Sequence, residues 1–560
     1  MSWQQRAQEA AREWMAGEVD QSDRRELAEL CRAAESGDEA ARAELAERVS
    51  GSPAFGTAGM RAPIRAGPNG MNRAVVIRTT AGLAAWLAEH GAGGTVVVGH
   101  DARHGSRRFA EDAADVLCAA GFDVRVLPEP LPTPVLARAT RALGAVAGVQ
   151  LTASHNPPAD NGYKVYLAGG DPLVTPYDTE IERAISGVGG ADAVPRERGW
   201  HHHERALPEY LDRVAALPRG DARKLRVAAT ALHGVGAEPL REALRRVGFT
   251  DTHFVASQRE PDPDFPTVEF PNPEEEGATD AVLELAREVD ADLAVALDPD
   301  ADRCALGVRA PDGGWRMLRG DETGVLLGEH VLGTLDFEHH PDPLVATTIV
   351  SSAMLRSVAR EHGARYDETL TGFKWLMRAG TDGRAAGLVY AYEEALGHCV
   401  DPDHVRDKDG IAAAVLACDL EATLARDGGT LLERLAELEI RHGVHETGQL
   451  SVRMTDPSAI AATMRRLREQ PPEELAGARV ETRDLLPEAD VLILRDSADE
   501  GAGRRVVIRP SGTEPKLKCY LQTIAPVVGA DERDGLTAAR SQARELLATL
   551  TSEVSSLLES

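Results

Sequence analysis

Five of the six lysines in this chain sit in short polar segments that read as pieces of a phosphate-handling site. Lys164 lies in NGYK, Lys374 in TGFK, Lys408 in RDKDG, and Lys516 and Lys518 in RPSGTEPKLK, while Lys224 falls outside. Arginine supplies the rest of the 62 cationic side chains. The retained lysines therefore mark places where a compact, titratable ammonium is needed and a planar guanidinium does not substitute.

The segments around and beyond these lysines carry the chemistry. In LTASHNPPADNGYK, Ser154 stands between a strand and a Pro-Pro turn beside His155 and Asn156, so its hydroxyl projects from a rigid loop as a nucleophile's must. In DPDADR, Asp298, Asp300 and Asp302 alternate, which brings three carboxylates to one hard cation such as Mg²⁺, with Arg303 as a fixed charge beside it. The spacing is not that of an EF-hand. RPSGTEPKLK offers Ser511, Gly512 and Thr513 on a turn able to cradle a phosphate, ringed by Arg509, Lys516 and Lys518, and it is not a Walker loop. Glu393 and Glu394 in YEEALGH pair two acceptors at a strand end, which suits vicinal hydroxyls, and Asp407 and Asp409 flank Lys408 and keep it protonated.

These loops need scaffolds, and the chain supplies them in a repeating pattern. TVVVG, DVRVL and GAVAGVQLT read as strands, separated by helices over 106–120 and 134–143. RVAAT, THFVA and DLAVAL repeat the scheme with helices over 237–247 and 279–289, and DLAVAL ends at Asp298. LVATTIV and GLVYAY repeat it again, with a helix over 352–362 and a short helix after Lys374. Open α/β sheets bind ligands beyond the carboxyl ends of their strands, where these loops fall. Residues 1–50, rich in Ala, Glu and Arg at helical spacing, predict one or two helices. The tract His201–His202–His203 reads as a solvated linker rather than a metal site, since adjacent histidines do not easily share one ion. From about 445 the pattern changes to a smaller α+β domain.

Composition narrows the partners. With 560 residues and 43% hydrophobic content the chain builds several cores. A net charge of -28 argues against nucleic acid or an anionic membrane and asks that anionic ligands be captured by focused charge. No run approaches the roughly 18 apolar residues of a membrane span. The six cysteines form no CxxC pair and the N-terminus is polar, so the expected compartment is the reducing cytoplasm.

Taken together, GTAGMR, TASHNP, DPDADR, TGFK, EEALG, RDKDG and RPSGT occur in an order that resembles the α-D-phosphohexomutase superfamily over residues from about 50 to 525. The resemblance implies four domains around a central cleft, which follow the helical extension over 1–50: a phosphoserine domain over 51–205, a metal-loop domain over 206–322, a sugar-selecting domain over 323–442, and a phosphate-binding domain over 443–560. It implies a phosphoserine at Ser154 and Mg²⁺ held by that phosphate with Asp298, Asp300 and Asp302. Arg61 and Arg303 would lie near the transferring phosphoryl group, with Lys164 and Lys408 as proton-transfer candidates beside His155. Thr371, Gly372, Lys374, Glu393 and Glu394 would bind sugar, and Arg509, Ser511, Gly512, Thr513, Lys516 and Lys518 would bind its phosphate. The expected reaction moves phosphate between C1 and the terminal carbon of an aldose phosphate, with a sugar bisphosphate such as glucose 1,6-bisphosphate as activator. Glucose phosphate is the first expectation, then ribose or deoxyribose phosphate, then mannose phosphate. The family's sugar loop commonly reads Glu, any residue, Ser, whereas Ala395 stands here in place of the serine. A serine-dependent phosphatase and a non-catalytic sugar-phosphate sensor are the readings from other classes.

Overall fold

The computed structural model describes residues 3–381, 383–454, 457–496, 503–511, 516–529 and 531–559. The chain divides into two compact units, residues 1–318 with 395–423, and residues 319–394 with 424–560.

The first unit opens with three helices, Trp3–Ala16, Gln21–Glu35 and Glu39–Arg48, one more than the composition of residues 1–50 predicts. Asp20 and Asp38 break the stretch into pieces, because each side chain accepts from backbone N–H groups of the following first turn and caps it. The sheet that follows runs in the order Met60–Pro63, Asp160–Leu167, Ala147–Leu151, Thr95–His100, Asp123–Val126 and His201–His202. Its centre is parallel. Ala147–Leu151 is buried at every position, as a strand covered on both faces must be. Helix Ser106–Ala119 buries Phe109, Ala110, Ala113, Ala114 and Leu117, one stripe at helical spacing. Leu117 is fully buried, so Leu117→Ala would cost about 2–5 kcal/mol. His201 and His202 form an exposed edge strand parallel to Asp123–Val126, a more ordered role than the linker expected of them.

A second sheet in the same unit runs Trp315–Met317, Cys304–Arg309, Leu293–Leu297, Arg226–Thr230 and Asp251–Phe254. Leu293–Leu297 pairs in parallel with Arg226–Thr230 and antiparallel with Cys304–Arg309. The turn between Leu293–Leu297 and Cys304–Arg309 is DPDADR. Strands Asp160–Leu167 and Cys304–Arg309 reverse direction straight after a polar loop, and Asp160–Leu167 begins inside that loop's own polar sequence, where periodicity alone does not reveal it.

The second unit carries a parallel sheet of Arg365–Thr369, Leu344–Thr348 and Leu388–Glu393, covered by helices Gly320–Gly333 and Met354–Glu361. The short helix Phe373–Leu376 contains Lys374 rather than following it. The C-terminal domain is an antiparallel sheet in the order Val444–Arg453, Lys516–Ala525, Gly503–Pro510, Leu492–Asp496, Ala478–Asp484 and Glu474–Leu475, with helices Pro457–Glu469 and Glu532–Glu559. Within this unit Ile349 and Val350 share an apolar cluster with Val491, Ile493, Val507 and Tyr520. Three sheets flanked by helices and a smaller α+β domain are thus the three α/β domains and C-terminal domain that the strand pattern predicts.

Candidate active site

Ser154 is 3% exposed and sits at φ 52°, a left-handed conformation that costs a non-glycine residue about 1–2 kcal/mol. Two devices hold it there. Ser154 N donates to Thr152 Oγ1 at 2.9 Å, and its carbonyl accepts from Arg103 Nη2 at 2.6 Å. Arg103 also donates to the carbonyls of Asn156 at 2.6 Å, Pro157 at 2.8 Å and Asp160 at 3.1 Å. One guanidinium, 4% exposed, therefore ties the whole serine loop. Sequence reading missed Arg103; the signal available was the charged run DAR straight after strand Thr95–His100. Arg61, at the start of the Met60–Pro63 edge strand, donates to Asn156 Oδ1 at 2.8 Å. Gly59 is needed for that placement, since it has φ 76° and a Cβ there would collide with the Tyr163 carbonyl.

Ser154 Oγ donates to Asp298 Oδ2 at 2.9 Å and lies 3.2 Å from His155 Nδ1. Burial, reinforced by Arg303 and Arg61, holds the His155 imidazole well below its ordinary pKa, so it stands neutral beside the hydroxyl.

Asp298, Asp300 and Asp302 are each at most 2% exposed and offer carboxylate oxygens within 4.8 Å of one another. Among the described residues this is the one such cluster of possible metal ligands. Asp298 Oδ1 accepts from Arg303 N at 2.9 Å, and Thr133 Oγ1 donates to Asp300 Oδ2 at 2.7 Å. Burial and then Asp300 and Asp302 push the Asp298 carboxyl well above the usual carboxylate range. Asp300 Oδ1 and Asp302 Oδ1 are buried without a hydrogen-bond partner, an arrangement that costs roughly 1–3 kcal/mol per group when nothing binds there. The donors are all hard oxygens, so the site fits Mg²⁺.

Lys164, on strand Asp160–Leu167, places Nζ 3.1 Å from Asp302 Oδ2 and 3.1 Å from Asp407 Oδ2. Lys408 places Nζ 3.2 Å from Asp302 Oδ2 and 3.2 Å from Asp407 Oδ1. Two carboxylates and two ammoniums therefore alternate, and Tyr166 Oη donates to Asp407 Oδ2 at 2.6 Å. Burial works against the Lys164 ammonium, but Asp407 and Asp302 outweigh it and raise its pKa. Held charged, Lys164 is suited to donating a proton or stabilising negative charge. Asp409 does not flank Lys408 as the sequence suggested: its Oδ1 accepts instead from Tyr210 Oη at 2.6 Å and Ala412 N at 2.9 Å. Gly410 lets this segment meet the acidic loop, its N–H donating to the Ala301 carbonyl at 3.1 Å where a Cβ would collide with the Arg303 carbonyl.

The first unit thus gathers Ser154, His155, Arg61, Arg303, Lys164, Lys408 and the three aspartates. The other expected residues lie in the second unit. Glu393 ends strand Leu388–Glu393 and is 8% exposed, while Glu394 Oε2 accepts from Ser351 Oγ at 2.9 Å and Thr348 Oγ1 at 3.1 Å. Burial, with Glu393 next, raises the Glu394 carboxyl to about 7. Arg505 donates to the Ser351 carbonyl and, at 3.1 Å, to Glu368 Oε1, which ties the C-terminal sheet to the glutamate loop. Thr371 and Gly372 precede helix Phe373–Leu376, with Gly372 at φ 109°. Lys374 Nζ lies 5.8 Å from the Trp375 ring centre. Arg509 pairs with Lys518 across the last hairpin and places its guanidinium 5.9 Å from the Tyr520 ring centre. Ser511 N donates to the Lys516 carbonyl at 2.8 Å. Gly512 and Thr513 lie outside the described residues.

Comparison with known proteins agrees with this assembly of parts. The phosphoglucomutase/phosphomannomutase domain profiles match in order: α/β/α domain I over 52–189, domain II over 208–313, domain III over 319–439, and the C-terminal domain over 452–523. A "Probable phosphomannomutase" of Haemophilus influenzae is 40% identical over 462 residues, covering 81% of this chain and 93% of that protein. A phosphopentomutase of Mus musculus is 32% identical over 531 residues, covering 85% and 84%. The crystal structure of a phosphoglucomutase/phosphomannomutase family protein from Burkholderia thailandensis superposes with a TM-score of 0.66 at 19% identity, covering 88% of this chain and 97% of that one, which shows the shared fold. No helix among the described residues is long and apolar enough to cross a membrane. With four domain profiles in sequence and relatives this close along most of its length, the chain belongs to the phosphoglucomutase/phosphomannomutase family of the α-D-phosphohexomutase superfamily and is a phosphomutase.

Proposed function

We propose that this enzyme moves phosphate between C1 and the terminal carbon of an aldose phosphate, glucose 1-phosphate and glucose 6-phosphate first, through a phosphoserine at Ser154 and a sugar bisphosphate. The observation that carries the reading is the contact of Ser154 Oγ with Asp298 inside a buried carboxylate cluster that has two unpaired oxygens. Asp298, Asp300 and Asp302 would hold Mg²⁺, which when bound supplies positive charge to offset the phosphoryl oxygens. Arg61 and Arg303 flank the phosphoryl group. His155, neutral, holds Nδ1 against Ser154 Oγ and keeps the hydroxyl oriented toward Asp298. Lys164 and Lys408, charged, stabilise the oxygen that gains charge as phosphate passes from serine to sugar, and Lys164 gives its ammonium proton to the departing Ser154 oxygen while taking the proton of the attacking sugar hydroxyl in its place. The bisphosphate then presents its other phosphate to Ser154. Glu393 and Glu394 take sugar hydroxyls, Thr371, Gly372 and Lys374 bound the sugar, and Arg509, Ser511, Gly512, Thr513, Lys516 and Lys518 take the non-reacting phosphate. Glucose 1,6-bisphosphate is the activator that charges Ser154.

A ribose phosphate reading stands second, favoured by Ala395, which offers no hydroxyl, and by the likeness to a phosphopentomutase. Mannose phosphate is third, on the likeness to the Haemophilus influenzae protein. The test is a panel of glucose, ribose, mannose and N-acetylglucosamine 1-phosphates with Mg²⁺ and trace glucose 1,6-bisphosphate, compared by kcat/KM. The expected order is glucose, ribose, mannose, with organic phosphate conserved. Release of inorganic phosphate would instead identify a phosphatase, and binding without turnover a sensor.

A further inference from the structure

The segment from Arg259 to Thr279, acidic and proline-rich, reaches both halves of the serine–aspartate site within the first unit. Asp262 N donates to the His233 carbonyl at 3.0 Å. Asp264 Oδ1 pairs with His104 Nε2 at 2.7 Å, and the 2% exposed Phe265 lies beneath the Arg103 guanidinium at 4.9 Å from ring centre. At its far end Pro271, Asn272 and Pro273 are buried, and Asn272 Oδ1 accepts from Glu274 N at 3.2 Å, a side-chain-closed turn that presents Glu274 outward from a fixed base. Glu274 Oε2 there lies 3.2 Å from Arg303 Nη1.

Arg303 adjoins the serine–aspartate site, its own backbone N–H donating to Asp298 Oδ1 at 2.9 Å. A guanidinium presents its donors to one carboxylate or phosphate in a planar fork, so an anion taken up on that face competes with Glu274. Glu274 side-chain exposure is 39% against 14% for Arg303, so the carboxylate is the partner with room to swing away.

We propose that Glu274 is a positioning residue for phosphoryl transfer: it holds the Arg303 guanidinium beside the Ser154 loop and is displaced from it when a phosphoryl group arrives, so that it sets how tightly phosphorylated sugar is held. The proposal rests on the mutase reading for its catalytic meaning, but its electrostatic content concerns any phosphate monoester. Displacing a partly exposed ion pair weakens phosphate binding by about three- to fivefold.

The test is a double-mutant cycle by titration calorimetry on the full chain carrying Ser154→Ala, with glucose 6-phosphate and, separately, inorganic phosphate as probes at fixed ionic strength. Glu274→Gln should tighten binding of both probes about three- to fivefold in the Arg303 protein and change nothing when combined with Arg303→Gln. Glu274→Asp, which keeps the charge on the same turn, should stay within twofold of its parent. Unchanged or weaker binding in Glu274→Gln would overturn the proposal, as would equal tightening with Gln at 303 or in Glu274→Asp. A parallel mutase assay on the wild type separates the two readings. Absent turnover of glucose 1-phosphate with an intact cycle removes the glucose phosphate reading and leaves the Glu274–Arg303 coupling standing, whereas turnover without coupling does the reverse.

Discussion

Replacing Arg103 probes how much of the reaction depends on a residue that touches no reacting atom. Its guanidinium makes four bonds to carbonyls of the serine loop, from Ser154, Asn156, Pro157 and Asp160, and lies 3.5 Å from the Asp101 carboxylate. Bonds from a charged donor contribute roughly 1.5–3 kcal/mol each, but they are not additive, and water entering the space left by Arg103→Ala recovers part of them. The loss of a buried network with its charged centre falls near 3–5 kcal/mol. If about 3 kcal/mol of that appears as failure to hold Ser154 at φ 52° against Asp298, phosphorylation of Ser154 slows by a factor of about 150. Arg103→Lys retains charge without the fork and should lie between wild type and Arg103→Ala. The assay is the rate at which glucose 1,6-bisphosphate charges Ser154, followed by intact mass, with circular dichroism confirming the fold. A folded Arg103→Ala protein that charges Ser154 within threefold of the wild-type rate would refute the positioning argument.

Three further outcomes follow from the same geometry. Asp300→Asn removes an anionic ligand and should weaken Mg²⁺ binding by calorimetry and cut kcat by orders of magnitude, with partial recovery at high Mg²⁺; chelator-treated wild type that keeps full activity would reject the metal role. Burial raises the Asp409 carboxyl from 3.8 to about 7, so the folded state holds that proton more tightly than the unfolded chain does, and the stability it contributes is present below about pH 4 and lost as pH rises to about 7. Asp409→Asn keeps both acceptor bonds on Oδ1 without the charge, so it should melt like wild type near pH 4 and higher at pH 8, by at most ~4 kcal/mol; an unchanged or lower melting temperature at pH 8 would contradict this. Ala395→Ser should shift the glucose-to-ribose ratio of kcat/KM toward glucose by roughly 1 kcal/mol, a factor of about five, and movement toward ribose would place ring selection elsewhere.

Strands buried on both faces were legible in the sequence because their apolar runs are continuous, and the loops at their ends announced themselves by residue type. Leu293–Leu297 with DPDADR is the clearest case, since the strand predicts where the aspartates begin and their alternation predicts that they converge. Contacts between residues far apart in sequence were not legible. Arg103 precedes Ser154 by half a domain, and no local period says that its guanidinium caps four carbonyls of a later loop. Asp407 and Asp409 look equivalent around Lys408, yet a helix beginning at Gly410 recruits Asp409 to its first turn and leaves Asp407 to face the lysines. The reversal at Asp160–Leu167 escaped notice for a related reason: it places Lys164 by antiparallel pairing with Ala147–Leu151, a register that the polar sequence NGYK does not encode by itself.

Ser154 is the proposed carrier of the phosphoryl group, and every step of the proposed reaction passes through it. Wild-type protein incubated with Mg²⁺ and glucose 1,6-bisphosphate should gain one phosphoryl group by intact mass, mapped by peptide sequencing to Ser154, and should lose it to added glucose 1-phosphate at the rate of mutase turnover. Ser154→Ala should gain none and turn over nothing while folding normally. A phosphoryl group mapped to another residue, or mutase turnover by the Ser154→Ala protein, would contradict it.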